Sequence, residues 1–163
     1  MFELVLGGFS SGKSDFALSL LKGEKACLVV TGKALDFSFR KKILEHRKKR
    51  DNLLVIEAGE DLGMALKHCP QNLPEIVVEG LDFWYFSIQG LSYKQELLNS
   101  FWDQVKQEQR HLIFVSSEVT LGGVGTNRPL DQSQGLAEFN QQLAKICQKV
   151  YFLISGCPVL VKS

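Results

Sequence analysis

Eight residues near the start of the chain, Gly7, Gly8, Phe9, Ser10, Ser11, Gly12, Lys13 and Ser14, restrict its fold more than any other stretch. They fit G-x-x-x-x-G-K-[ST], a loop whose glycines let backbone N–H groups turn inward around phosphate oxygens. The flanks fit as well. Residues 2–6 read as a short buried strand, and Phe16, Leu18, Leu20 and Leu21 give residues 15–22 the pattern of a helix. Strand, loop and helix in that order point a helix N-terminus, with its partial positive charge, at a bound phosphate. In such a loop Lys13 reaches the β- and γ-phosphates of a nucleoside triphosphate and the Ser14 hydroxyl binds Mg²⁺. A Gly/Ser-rich turn can match by chance, but the strand before it and the helix after it argue against chance.

The rest of the chain alternates. Apolar runs of strand length lie at 26–31, 53–56, 75–79, 111–116, 150–154 and 159–161. Helical patterns lie between them: 36–49, opened by Asp36 and carrying Phe39, Ile43 and Leu44; a short one at 60–68; one at 93–109; and a last one marked by Leu136, Phe139, Leu143, Ile146 and Cys147. Alternating strands and helices predict an α/β fold with a mainly parallel sheet. The strands are continuously apolar, as strands covered on both faces must be. Gly156 and Pro158 join the last two runs too tightly for a helical crossover, which predicts an antiparallel C-terminal edge hairpin. With 163 residues, no repeat and no linker-like tract, one domain over 1–163 is expected.

Charge and cysteine usage exclude several classes. The net charge is +1, so no global field favours nucleic acid or a membrane surface. No run approaches the ~20 apolar residues of a membrane span, and no basic segment opens a signal peptide. Cys27, Cys69, Cys147 and Cys157 are scattered without C-x-x-C or metal-site spacing. They read as reduced, mostly buried thiols of a cytoplasmic protein.

Other residues offer chemistry with two readings each. Glu79, at the end of the fourth strand, either holds Mg²⁺ beside the phosphates or faces solvent. The 40–50 stretch carries seven of the nineteen Lys and Arg residues; it is either a solvated helix face or an anion site for a second phosphate-bearing substrate. His46 lies within it, and surrounding cations favour neutral imidazole, which is a nucleophile. Gly122, Gly123 and Gly125 form a loop that closes over a ligand or simply connects two elements. Trp84 and Tyr85 are core or substrate platform.

Taken together, these residues resemble a known family over essentially the whole chain. The match rests on the Leu6–Ser14 stretch, His46-Arg47-Lys48-Lys49-Arg50, Ile56-Glu57, Val77-Val78-Glu79, Ser117-Glu118-Val119 before the glycine loop, Asn140-Gln141, and Ile154-Ser155-Gly156 running to Val161-Lys162. The family is the bifunctional adenosylcobinamide kinase/adenosylcobinamide-phosphate guanylyltransferases of cobalamin biosynthesis. The resemblance implies two reactions at one nucleotide site. ATP or GTP phosphorylates the aminopropanol hydroxyl of adenosylcobinamide; GTP then guanylylates adenosylcobinamide phosphate through a GMP–histidine intermediate and releases pyrophosphate. It places His46 on the guanylylated histidine, and Arg47, Lys48, Lys49, Arg50, Glu57 and Glu79 on positions that help hold GTP. Thr31, Gly32 and Lys33 fall near a further nucleotide-contacting turn. It also implies Mg²⁺, a RecA-like three-layer fold and a ring-like homotrimer. The chain departs from the family pattern at Ser38, Ser117 and the 129–136 region. Two other readings stay open: a P-loop small-molecule kinase without guanylyltransferase activity, and a non-catalytic nucleotide-binding relative.

Overall fold

The computed structural model describes residues 1–23, 25–31, 52–120 and 130–163. The helix expected over 36–49, with His46 and its basic neighbours, and the glycine loop at 122–125 lie outside the described residues.

Seven strands form one sheet: β1 (Phe2–Gly7), β2 (Lys25–Thr31), β3 (Asn52–Ala58), β4 (Glu75–Glu79), β5 (His111–Ser117), β6 (Lys149–Ile154) and β7 (Cys157–Lys162). Their order is β3-β2-β4-β5-β1-β6-β7. Every neighbouring pair is parallel except β6–β7, which is the expected antiparallel edge hairpin. The described helices are α1 (Lys13–Ser19), α2 (Leu62–Lys67), α3 (Leu81–Ser87), α4 (Lys94–Gln107) and α5 (Leu130–Ile146).

The continuous apolar strands serve two cores. Successive side chains point to opposite faces, so Ile76 and Val78 of β4, with Leu112 and Phe114 of β5, pack on one side. Val77, Ile113 and Val115 pack on the other, beneath Ala17 and Leu18 of α1. The first core is the larger and is rich in aromatic rings. Trp84, Phe101 and Phe139 lie with centroids 5.3–6.0 Å apart, joining α3, α4 and α5. Fully burying side chains of this size contributes about 1.5–3 kcal/mol each. Helices α2 and α4 meet at Gly63, where a Cβ would run into the backbone of Ser100. Asp61 caps α2 by accepting from Met64 N–H at 2.9 Å, and the same oxygen accepts from Ser100 Oγ at 2.7 Å. Among the described residues no helix is long and apolar enough to cross a membrane.

Two elements differ from expectation. Residues 81–87 form α3, although Phe83-Trp84-Tyr85-Phe86 carries no helical period. Burial explains it: Leu81 and Trp84 are sunk in the core, and Trp84 Nε1 donates to the Glu60 carbonyl at 2.7 Å. Trp84 is thus core, and Tyr85 packs against the same core. The last helix starts at Leu130, ahead of the apolar pattern, because its polar first turns leave no periodic trace. Cys27, Cys69 and Cys147 are buried free thiols and Cys157 is exposed. Burial pushes the Cys147 thiol up to about 12.

Candidate active site

The C-terminal end of β1 opens into the loop at residues 8–12, followed at once by α1. Ser10 takes φ 53° and Gly12 φ 91°, left-handed conformations that fold the loop back on itself. Ser11 N–H donates to the Gly8 carbonyl at 3.3 Å, and Phe16 N–H to the Gly12 carbonyl at 3.0 Å. Gly7 must be glycine, because a Cβ there would sit 2.6 Å from Ser11 Oγ and 2.8 Å from the Leu153 carbonyl. The loop is thereby wedged between β5 and β6. Glu118 N–H donates to the Gly7 carbonyl and Gly156 N–H to the Ser11 carbonyl, each at 3.0 Å. Phe9 projects outward and is 92% exposed.

Lys13 and Ser14 open α1. The Lys13 ammonium donates to the Gly8 carbonyl at 2.7 Å, folded back over the loop. Burial holds its pKa below the ordinary lysine value, while the carboxylates of Asp82 and Glu79 pull it back up. Ser14 Oγ donates to Glu79 Oε1 at 2.8 Å. Glu79 therefore faces the loop and not open solvent. Its strand, β4, is separated from β1 by β5, so the sheet order brings together residues 65 positions apart.

The two oxygens that meet here, one hydroxyl and one carboxylate, suit Mg²⁺, which takes one or two protein carboxylates and completes its shell with water and phosphate. Among the described residues no cluster of three or more His, Cys, Asp or Glu forms a metal cage made of protein alone.

Other expected site residues are placed differently. Thr31 is fully buried, and its hydroxyl donates to the carbonyls of Glu79 (3.1 Å) and Gly80. Glu57 is exposed on β3, at the edge of the sheet. That edge is four strand positions from β1, roughly 19 Å at ~4.8 Å per strand, so the sheet does not bring Glu57 to the loop. Gly32, Lys33, His46, Arg47, Lys48, Lys49 and Arg50 lie outside the described residues.

Two further groups support the site, and only Asn140 had a signal in the sequence, as part of the Asn140-Gln141 motif. Asp82, buried in the first turn of α3, acts on Lys13; it would have stood out had α3 itself been legible. Asn140, buried on α5, donates from Nδ2 to the Ser117 carbonyl at 3.0 Å and so supports the end of β5 beside the loop.

This arrangement has relatives. A KaiC-like protein from Pyrococcus horikoshii superposes with a TM-score of 0.58 at 15% identity, covering 93% of this chain and 71% of its own. The flagellar accessory protein FlaH from Methanocaldococcus jannaschii gives 0.57 at 10% identity, covering 99% and 77%. At such identities the likeness shows the fold alone, a mainly parallel sheet covered by helices on both faces. In sequence, the chain is 27% identical over 175 residues to the bifunctional adenosylcobalamin biosynthesis protein CobP of Pseudomonas aeruginosa, covering 99% of this chain and 98% of that protein. Residues 3–161 match the cobinamide kinase/cobinamide phosphate guanyltransferase family, and the chain belongs to that family of cobalamin-biosynthesis enzymes.

Proposed function

We propose that the loop, Lys13, Ser14 and Glu79 form the nucleotide site of an adenosylcobinamide kinase that is also an adenosylcobinamide-phosphate guanylyltransferase. The observation that carries this reading is the 2.8 Å contact between Ser14 Oγ and Glu79 Oε1, beside a desolvated Lys13. In the kinase step the loop N–H groups hold the phosphates, and Lys13 leaves the Gly8 carbonyl to pair with the β- and γ-oxygens. Ser14 and Glu79 would hold Mg²⁺, which would supply positive charge against the charge that develops on the phosphates. The aminopropanol hydroxyl of adenosylcobinamide attacks the γ-phosphorus, loses its proton, and expels the nucleoside diphosphate.

In the transferase step neutral His46 attacks the α-phosphorus of GTP. An N–P bond forms and the P–O bond to pyrophosphate breaks. An oxygen of adenosylcobinamide phosphate then attacks the same phosphorus, displaces His46 and yields adenosylcobinamide-GDP. Arg47, Lys48, Lys49 and Arg50 stabilise the charge that develops on the leaving pyrophosphate. Gly32 and Lys33, next to Thr31, complete the nucleotide-binding turn, and Glu57 helps hold GTP. Because Glu57 lies on the far sheet edge, its role requires the residues following β2, or a second copy, to carry nucleotide towards it. A cytoplasmic homotrimer of single-domain subunits completes this reading.

The test is mass spectrometry after incubation with GTP and Mg²⁺. The wild type is expected to gain one acid-labile GMP. His46→Ala is expected to lose the adduct and guanylyl transfer while still phosphorylating adenosylcobinamide. Kinase activity with no adduct in the wild type would favour the plain small-molecule kinase instead.

A further inference from the structure

Three residues beyond Glu79 the chain carries a second acid that the nucleotide-site reading does not use. β4 ends at Glu79, turns through Gly80 at φ 81°, and enters α3, whose first turn holds Asp82. The turn is fixed from below. Buried Thr31 donates to the carbonyls of both Glu79 and Gly80, and a Cβ on Gly80 would come within 2.8 Å of its hydroxyl. Glu79 and Asp82 are therefore held in a set relation to each other.

Asp82 is only 9% exposed. Asp82 makes no hydrogen bond or ion pair with a described residue, and its oxygens are not among the buried atoms left without a partner, so they keep contact with solvent, where water can bridge them to a cation. Its charge instead acts on Lys13, more strongly than that of Glu79 does, although the Lys13 ammonium spends its hydrogen bond on Gly8. Asp82 does not cap α3, because the N-cap position is Gly80, with no side-chain hydrogen bond to the first turn. Among the described residues, two carboxylates thus flank one lysine at a loop built for a polyanion. That balance disfavours bare triphosphate and favours a triphosphate carrying a divalent cation.

We propose that Asp82 is a positioning residue for phosphoryl transfer, holding with Glu79, through water, the divalent cation that enters with the triphosphate. The proposal rests on the reading of Lys13, Ser14 and Glu79 as the metal–triphosphate site.

The experiment titrates Mn²⁺ by electron paramagnetic resonance in the presence of a non-hydrolysable GTP analogue. It compares wild type, Asp82→Asn, Asp82→Ser and Glu79→Gln, and measures analogue affinity in EDTA and melting temperature for each. Asp82→Asn is expected to weaken Mn²⁺ binding roughly ten- to a hundredfold, while analogue affinity in EDTA is kept or rises and the melting temperature holds. If Asp82→Asn fails to fold, Asp82→Ser is read in the same way. Wild-type Mn²⁺ affinity in an Asp82 variant, alongside a loss in Glu79→Gln, overturns the proposal and leaves the phosphate site standing. Equal loss of affinity with and without metal in both Asp82 variants also overturns it, by assigning Asp82 to α3 alone. If neither Glu79→Gln nor Asp82→Asn alters Mn²⁺ binding and Lys13→Ala binds the analogue normally, the phosphate-site reading falls, and the proposal with it.

Discussion

Lys13 shows how much a single side chain at this site depends on its surroundings. Burial works against its charge, and two carboxylates work for it. Its ammonium folds back on the Gly8 carbonyl, which accepts from it at 2.7 Å. Moving it to a triphosphate exchanges one neutral acceptor for charged ones, and such bonds are about twice as strong. Lys13→Ala is therefore expected to cost about 1.5–3 kcal/mol of triphosphate affinity, roughly ten- to a hundredfold in Kd, and more in phosphoryl transfer, where charge develops. Titration calorimetry with a GTP analogue and Mg²⁺ measures the first, and steady-state kinase kinetics the second. The variant should fold normally, since the only hydrogen bond of the Lys13 side chain among the described residues is the one to Gly8.

Among the elements, the connection from α1 to β2 and the starts of β4 and β5 are tied together by Glu75. Its carboxylate accepts from Lys22 N–H at 3.0 and 3.1 Å and from Gly23 N–H at 2.7 Å, and lies 2.9 Å from His111 Nδ1. Burial alone would raise its pKa, but the two backbone donors and His111 outweigh burial and leave it below the ordinary carboxylate value. A carboxylate depressed in the folded state adds stability that is fully present above its unfolded pKa and is lost as pH falls through the folded one. Melting temperature should therefore drop steeply below about pH 4. Glu75→Gln should flatten that drop while lowering stability at neutral pH by about 1–3 kcal/mol, because an amide cannot replace a charged acceptor of several donors. Thermal melts of both proteins from pH 7 to pH 3 check the slope.

At the scale of the whole molecule, the last strands support the first loop. Leu153 on β6 pairs with Gly7 and is 1% exposed; its carbonyl and Cβ crowd Gly7, and its side chain lies under Gly12. Beyond it, the turn at Ser155 and Gly156 bonds to Ser11. Leu153→Ala should destabilise the fold by about 2–5 kcal/mol. It should also weaken triphosphate binding beyond what unfolding explains, because the loop loses its floor. Denaturant unfolding and calorimetry at a temperature where the variant is folded separate the two effects.

The phosphate loop was legible because everything it needs is local: glycines at fixed spacing, an apolar strand before it and an apolar helix stripe after it. The α/β class and the edge hairpin were legible for a similar reason, since continuous apolar runs mean strands covered on both faces and Gly156 with Pro158 leaves no room for a crossover. The family followed from motifs spread along the chain. Helix α3 was not legible, because its aromatic run has no period and only the core around Trp84 makes it helical. With α3 hidden, Asp82 was hidden too. Glu79 stood out as a strand-end acid, but which way it faced depended on strand order, which no local pattern encodes. The sequence determined by itself that a phosphate loop exists. The tertiary structure decided which distant groups meet it, because contacts across a sheet are set by the order in which strands pair, and that order is a property of the packed whole.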